Sequence, residues 1–299
     1  MKEIKKADKK LLFISNPRAG QKKKEGFLVD VINEFEDGGY TTELHYTRRQ
    51  GDAVRIVSQY GTSADMIVCM GGDGTLNEVI EAVLKAGMEC PIGYIPAGST
   101  NDFANSLGLE SQPEKAAKNI MKKNPHKLDI GCFNGRNFVY TASCGIFAST
   151  SYETSQDIKN VIGHSAYILQ GIMDLTKIKQ MNLTFEYDGK VESGTYIFAA
   201  ICNATKIGGI MSIDKDVVDF RDGKFELLLV KYPKDLIELG VTINNLQNQI
   251  YGEGVQLISV SDLKIKNAEG IDWSLDGEKE EAKSEVEFKV IPEAVNFIY

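Results

Sequence analysis

The chain has 299 residues, of which 42% are apolar and 25% charged, with 34 Lys+Arg against 42 Asp+Glu and a formal net charge of −8. That acidic balance argues against nucleic acid as a partner, and no apolar run approaches the ~18 residues of a membrane span. The basic, non-apolar start Met1-Lys2-Glu3-Ile4-Lys5-Lys6 is no secretory signal, and five scattered cysteines without a Cys-x-x-Cys pair fit reduced thiols in a cytoplasmic protein. The lysines at 5, 6, 9 and 10 and at 22, 23 and 24 read as a solvated tail and helix start, with contact to an anionic membrane surface as the alternative.

Leu11–Ile14 predicts a short buried strand, followed by the breaker-rich turn Ser15-Asn16-Pro17-Arg18-Ala19-Gly20. Leu28, Val31, Ile32 and Phe35 then mark one face of a helix that ends at Gly38-Gly39. A strand over Leu44–Tyr46 and a helix from Gly51-Asp52 to about Gly61 follow. The apolar run Met66–Met70 leads into Gly71-Gly72-Asp73-Gly74-Thr75-Leu76-Asn77, and Thr75 with Glu78 fits a capping box. Leu76, Val79, Ile80, Val83 and Leu84 continue as the stripe of a helix packed on a sheet. Ile92–Ile95 is the next strand. This alternation predicts a doubly wound parallel sheet, which binds ligands beyond the carboxyl ends of its strands.

The turn at Gly71–Asn77 sits on that edge. Glycines let a backbone approach phosphate oxygens, and the following helix offers free N–H groups and a positive dipole end. Asp73 would repel the phosphates unless a cation such as Mg²⁺ lay between. An ordinary tight loop is the alternative, since Gly-Gly and Asp-Gly are common turn dipeptides. A second turn, Ile95-Pro96-Ala97-Gly98-Ser99-Thr100-Asn101-Asp102-Phe103-Ala104, offers a glycine bend, two hydroxyls, and Asn101 or Asp102 as a helix cap.

Beyond about residue 127 the pattern becomes antiparallel β, a sandwich or partial barrel. Lys127–Phe133 and Arg136–Ser143 flank the hairpin dipeptide Asn134-Gly135, and Leu183–Tyr187 and Val191 onward flank Asp188-Gly189. Strand-like runs recur at Tyr196–Ile201, Phe225–Val230, Val255–Val260, Val286–Ile291 and Val295–Tyr299. Helices are expected near Ser165–Ile178 and Lys234–Tyr251, and a polar aperiodic loop over Thr150–Gly163. Asp276-Gly277-Glu278 reads as a turn joining Trp273–Leu275 to Val286–Val290, with Trp273 in the core or against lipid. The expected domains are 1–128 and 129–299, the last strand being free to rejoin the first domain.

Taken in order, Gly71–Thr75, Pro96–Ala104 and Leu275-Asp276-Gly277-Glu278, together with Asn16-Pro17-x-Ala19-Gly20 and Thr47-x-x-x-Gly51-Asp52-Ala53, carry a resemblance. The chain resembles the catalytic domain of the diacylglycerol kinase family, in its soluble bacterial lipid-kinase branch. Gly-Gly-Asp-Gly-Thr alone also occurs in NAD kinases and phosphofructokinases. The resemblance implies an α/β ATP-binding half and a β-rich lipid half. It implies that Gly71, Gly72, Asp73, Gly74, Thr75, Leu76 and Asn77 hold the ATP phosphates, with Asn16, Thr47 and Ser99 at the nucleotide; the family more often has threonine where Ser99 stands. Asp73 and Asp102 would orient Mg²⁺ through water. Glu278 would be the general base on the lipid hydroxyl, with Asp276 beside it and burial raising the base's pKa. A structural Mg²⁺ would take the Asp222 carboxylate and the carbonyls of Asp219 and Lys224, although Arg221 replaces the family's usual acid or amide. The implied reaction converts diacylglycerol to phosphatidate at the inner face of the membrane by peripheral contact, and an edge strand offers a route to a homodimer. An NAD kinase or other soluble-substrate kinase, and a non-catalytic nucleotide-binding regulator, are the alternatives.

Overall fold

The computed structural model describes residues 9–19, 27–146, 178–207 and 211–299. Gly20, the lysines at 5, 6 and 22–24, the Thr150–Gly163 stretch and the helix expected before Ile178 lie outside the described residues. The chain divides into two compact units, Met1–Leu128 with Glu293–Tyr299, and Asp129–Pro292.

The first half contributes β1 (Lys9–Ser15), α1 (Leu28–Asp37), β2 (Tyr40–Tyr46), α2 (Asp52–Tyr60), β3 (Met66–Gly71), α3 (Asp73–Lys85), β4 (Ile92–Pro96), α4 (Asp102–Ser106) and α5 (Pro113–Lys122). Next come β5 (Pro125–Phe133), β6 (Arg136–Phe138), β7 (Thr141–Gly145), β8 (Met181–Tyr187), β9 (Lys190–Cys202), β10 (Lys206–Ile207), β11 (Met211–Ser212) and β12 (Phe225–Lys231). The chain closes with α6 (Leu236–Asn248), β13 (Val255–Val260), β14 (Asp262–Lys266), β15 (Asp272–Leu275), β16 (Glu278–Glu281) and β17 (Glu285–Ile298).

In the first unit the strand order is β17-β4-β3-β1-β2, every neighbouring pair parallel. The register Phe13↔Val68↔Gly93 aligns the central strands. Helices α1 and α5 cover the face lined by Leu11, Phe13, Met66 and Val68, while α2 and α3 pack against each other. All six residues of β3 are buried, which is why it reads as a continuous apolar run.

The capping box at Thr75–Glu78 does not form. Helix α3 starts earlier, on the extended N-cap Gly72, whose carbonyl receives the Thr75 and Leu76 N–H groups at 3.0 and 3.2 Å. Glu78 instead reaches the first turn of α2, accepting from Gly51 N–H at 2.8 Å and Ala53 N–H at 3.1 Å. Carboxylate oxygens thus satisfy two donors that α2 cannot satisfy itself.

The second unit is antiparallel, with β16-β15-β7-β9-β8-β14-β17 in sequence across the sheet, β12 bridging β9 and β13, and β5 bridging β17 and β6. Side chains of β12 alternate between two cores. Phe225, Leu227 and Leu229 join Phe133, Phe185, Trp273 and Phe288, whereas Leu228 and Val230 join Phe198, Leu239 and Ile243 under α6. Trp273 is therefore a core residue.

Three strand expectations are corrected. Arg136–Ser143 is broken between Phe138 and Thr141, because the intervening backbone donors turn to a side chain described below. Trp273–Leu275 pairs with Glu278–Glu281 rather than Val286–Val290. Asp276 and Gly277, at φ +48° and +89°, form the two-residue loop between them, like Asn134-Gly135 (φ +50° and +85°) and Asp188-Gly189 (φ +47° and +71°). Val286–Ile291 and Val295–Tyr299 merge into the single strand β17, and β14 joins the sheet unannounced by its short polar sequence.

Candidate active site

In the first unit β1 lies between β2 and β3, so the strand order reverses beside it; open α/β sheets bind ligands at the carboxyl edge of such a point. Three of the expected nucleotide residues gather there. Asn16 N–H donates to the Met70 carbonyl at 2.8 Å, and Asn16 Nδ2 donates to Thr75 Oγ1 at 3.0 Å. Thr47 is buried and donates its N–H to the Ser15 carbonyl at 3.0 Å.

The two glycine turns touch. Ala97 N–H donates to the Gly71 carbonyl at 2.6 Å, and Asp102 N–H donates to Asp73 Oδ2 at 3.0 Å. A Cβ on Gly71 would meet Thr75 at 2.8 Å, and a Cβ on Gly98 would meet the Gly72 Cα at 2.7 Å. These glycines serve backbone packing. Gly74 differs: it is exposed, and a Cβ there would meet nothing within 4 Å. Helical dipole and N–H groups at the start of α3 make the space beside Gly74 suited to phosphate.

Asn101, expected as a helix cap, closes its own turn instead. At φ +51° its Oδ1 accepts from Gly98 N–H at 2.9 Å and its Nδ2 donates to the Gly98 carbonyl at 2.9 Å. Tyr94 donates to the Gly71 carbonyl at 3.2 Å; burial and then the Asp73 charge push its hydroxyl well above the usual phenol range. Ser99 is exposed and Asn77 half-buried. Leu76, grouped with the phosphate turn, is a core residue at 1% exposure. Asp73 and the buried Asp102, joined by one hydrogen bond, give an all-oxygen donor set that fits Mg²⁺.

In the second unit, Asp276 and Glu278 have separate environments. Asp276 is 5% exposed, and its carboxylate accepts from Val139, Tyr140 and Thr141 N–H at 2.5, 3.0 and 3.0 Å. These are the donors that interrupt the strand after Phe138. Burial pushes the Asp276 carboxyl up to about 6, against the pull of those three N–H groups. Asp276 thus anchors backbone. Glu278 was expected to be buried, but its side chain is 38% exposed and ion-paired with Arg136. Arg136 also holds Glu280, at 2.5 Å. Nothing in the sequence announced Arg136, because the contact joins positions 142 residues apart.

The Asp219–Lys224 loop is built from local turns. Asp219 Oδ1 accepts from Arg221 N–H at 3.0 Å, Asp222 Oδ1 from Lys224 N–H at 2.9 Å, and the buried Asp129 accepts from Gly223 N–H at 2.7 Å. Behind it lies Glu226, 1% exposed, whose carboxyl is pushed up to about 8 by burial and then by the Asp222 charge. Its Oε2 has no hydrogen-bond partner. The Asp219 charge acts on Glu226 in the same sense, so the acids at 219 and 222 both disfavour its ionised form. Among the described residues, no group of three or more His, Cys, Asp or Glu side chains converges as a metal cluster, so a cation here would depend on backbone carbonyls.

Residues 10–133 match the family model described as the diacylglycerol kinase catalytic domain. Over 276 residues the chain is 32% identical to a diacylglycerol kinase of Staphylococcus carnosus (strain TM300), covering 90% of this chain and 89% of that one. The chain belongs to the diacylglycerol kinase family. A diacylglycerol kinase of Bacillus subtilis (strain 168) is 29% identical over 273 residues, 90% of each chain. A crystal structure of a diacylglycerol kinase from Bacillus anthracis str. Sterne, 21% identical, superposes with a TM-score of 0.76 over 97% of both chains, a likeness of fold. Membership in the diacylglycerol kinase family makes this protein a lipid kinase with an alcohol acceptor and ATP as co-substrate. Among the described residues of this kinase no helix is long and apolar enough to cross a membrane.

Proposed function

We propose that this lipid kinase transfers the γ-phosphoryl group of ATP to the hydroxyl of diacylglycerol, giving phosphatidate and ADP. One observation carries the nucleotide half of this reading: the Gly71–Asn77 and Gly98–Asp102 turns meet at the carboxyl edge of β3 and β4, with Gly74 open to a ligand. The first-turn N–H groups of α3 would receive phosphate oxygens, and Asn16, Thr47, Thr75 and Ser99 would line the nucleotide. Bound Mg²⁺ would neutralise phosphate charge, held through water by Asp73 and Asp102. A second ion would rest on the Asp222 carboxylate and the carbonyls of Asp219 and Lys224.

Glu278 would accept the hydroxyl proton as the O–P bond forms and the bond to the ADP oxygen breaks. A carboxylate is too weak a base to remove that proton first, so it acts late, with Arg136 beside it. The enzyme would meet its substrate from the cytoplasm, at the inner face of the membrane.

Radiolabelled ATP supplied with diacylglycerol, a sphingoid base, a polyprenol, phosphatidylglycerol and NAD tests the reading. Label in phosphatidate supports it. Label confined to another lipid overturns the acceptor, and NADP formation overturns the lipid reading.

A further inference from the structure

We infer that Arg136 is a positioning residue for Glu278, fixing the carboxylate that receives the acceptor proton; this rests on the base role proposed above. Glu278 and Glu280 are two positions apart on β16, so their side chains share a face. Their register partners on β15 are Leu275 and Trp273, both fully buried. Two carboxylates side by side against apolar neighbours repel each other and need a donor. Arg136 supplies one planar fork to both: Nη1 donates to Glu280 Oε2 at 2.5 Å and Nη2 donates to Glu278 Oε2.

Arg136 is itself held in place. Its cross-strand partner is Phe133, whose ring centroid lies 4.9 Å from that of Trp273. The hairpin turn before it is pinned to β17, with Asn134 N–H donating to the Glu287 carbonyl at 2.9 Å and Glu287 N–H donating to Asn134 Oδ1 at 2.8 Å. Past the other end of β6, the Asp276 carboxylate grips the N–H groups of Val139, Tyr140 and Thr141. Asp276 belongs to the very loop that leads into Glu278. The hairpin carrying the base and the hairpin carrying the arginine are therefore joined by the Phe133–Trp273 contact and by the Asp276 carboxylate, and β17 steadies the arginine hairpin from its turn.

The test compares Arg136→Met, Arg136→Lys, Glu278→Gln and the Arg136→Met/Glu278→Gln double variant by lipid-phosphorylation kinetics, with thermal unfolding of each. Arg136→Met should lower kcat by about 10- to 100-fold, the order of loss expected from a misplaced catalytic group, with the ATP KM unchanged. Arg136→Lys keeps the charge but not the fork, and should fall between it and the parent. In the Glu278→Gln background, Arg136→Met should cost nothing further. Parental kcat in Arg136→Met overturns the inference, as does an equal loss in both backgrounds, which would mean that Arg136 acts on substrate directly. Should Arg136→Met not fold, Arg136→Lys decides: reduced kcat at unchanged ATP KM supports the inference and parental kcat overturns it. Parental kcat in Glu278→Gln sinks the base role itself, whereas an inactive Glu278→Gln beside a fully active Arg136→Met sinks only the role of Arg136.

Discussion

Gly98 lies so close to Gly72 that a Cβ on Gly98 would stand 2.7 Å from the Gly72 Cα. The neighbour is backbone and cannot swing aside, so Gly98→Ala should lower stability by about 1–3 kcal/mol, the usual cost of overpacking. Gly74, two positions beyond Gly72, has open space where its Cβ would go. Gly74→Ala should leave stability unchanged or raise it by up to about 1 kcal/mol, since alanine favours a helix. If ATP phosphates lie there, the same methyl should raise the ATP KM by about tenfold, a loss of one or two backbone contacts. Thermal unfolding and ATP titration of the two variants separate packing from ligand contact. An unaltered ATP KM in Gly74→Ala would remove phosphate from that position.

Glu78 should act as the cap of a helix other than its own. Its carboxylate receives Gly51 and Ala53 N–H, so Glu78→Ala leaves two donors at the start of α2 without their acceptor. A cost of about 1–2 kcal/mol follows, comparable to the loss of an N-cap. Glu78→Gln keeps one acceptor oxygen and should lose less. Urea unfolding of the three proteins checks the order.

The buried carboxyl of Asp276 predicts a pH dependence of stability. Its value is raised from 3.8 to about 6. A raised acid holds its proton more tightly when folded, so its contribution is fully present below about pH 4 and lost as the pH climbs through about 6. The displacement corresponds to a loss on the order of 3 kcal/mol across that window. Asp276→Asn should abolish this component and lower stability throughout, because an amide cannot accept three N–H groups as a carboxylate does. Denaturant unfolding of parent and variant from pH 4 to 7 isolates the residue, since other acids cancel in the difference. Parallel curves would contradict the assignment.

The first unit was largely legible because its signals are local. Buried strands such as Met66–Gly71 are apolar throughout, and glycines sit where chains turn or touch. The second unit was legible at three turns, Asn134-Gly135, Asp188-Gly189 and Asp276-Gly277. Strand β16 was not, since Glu-Lys-Glu-Glu has no strand character of its own and is held extended by pairing with β15. Arg136 and the Asp276 anchor were hidden for another reason: their partners lie more than 130 residues away. The Thr75–Glu78 box shows the converse failure, a matching local pattern overridden by a tertiary contact to α2.

Asp73 offers the most direct test of the metal reading. It opens α3 and accepts the Asp102 N–H at 3.0 Å, so its carboxylate binds the two turns together as well as facing the phosphates in the proposed reaction. Asp73→Asn keeps an acceptor for that N–H but removes the negative charge that would attract Mg²⁺ through water. Stability should change by no more than about 1 kcal/mol, the worth of an ordinary hydrogen bond. Lipid phosphorylation should fall by about 100-fold or more, as when a charge-stabilising group is lost from a phosphoryl-transfer site. The Mg²⁺ concentration giving half-maximal rate should rise. Chelation of divalent ions should silence the parent, and Mg²⁺ should restore it. A folded Asp73→Asn enzyme with parental rate and parental Mg²⁺ dependence would exclude Asp73 from the metal's surroundings and leave it the single task of joining the two turns.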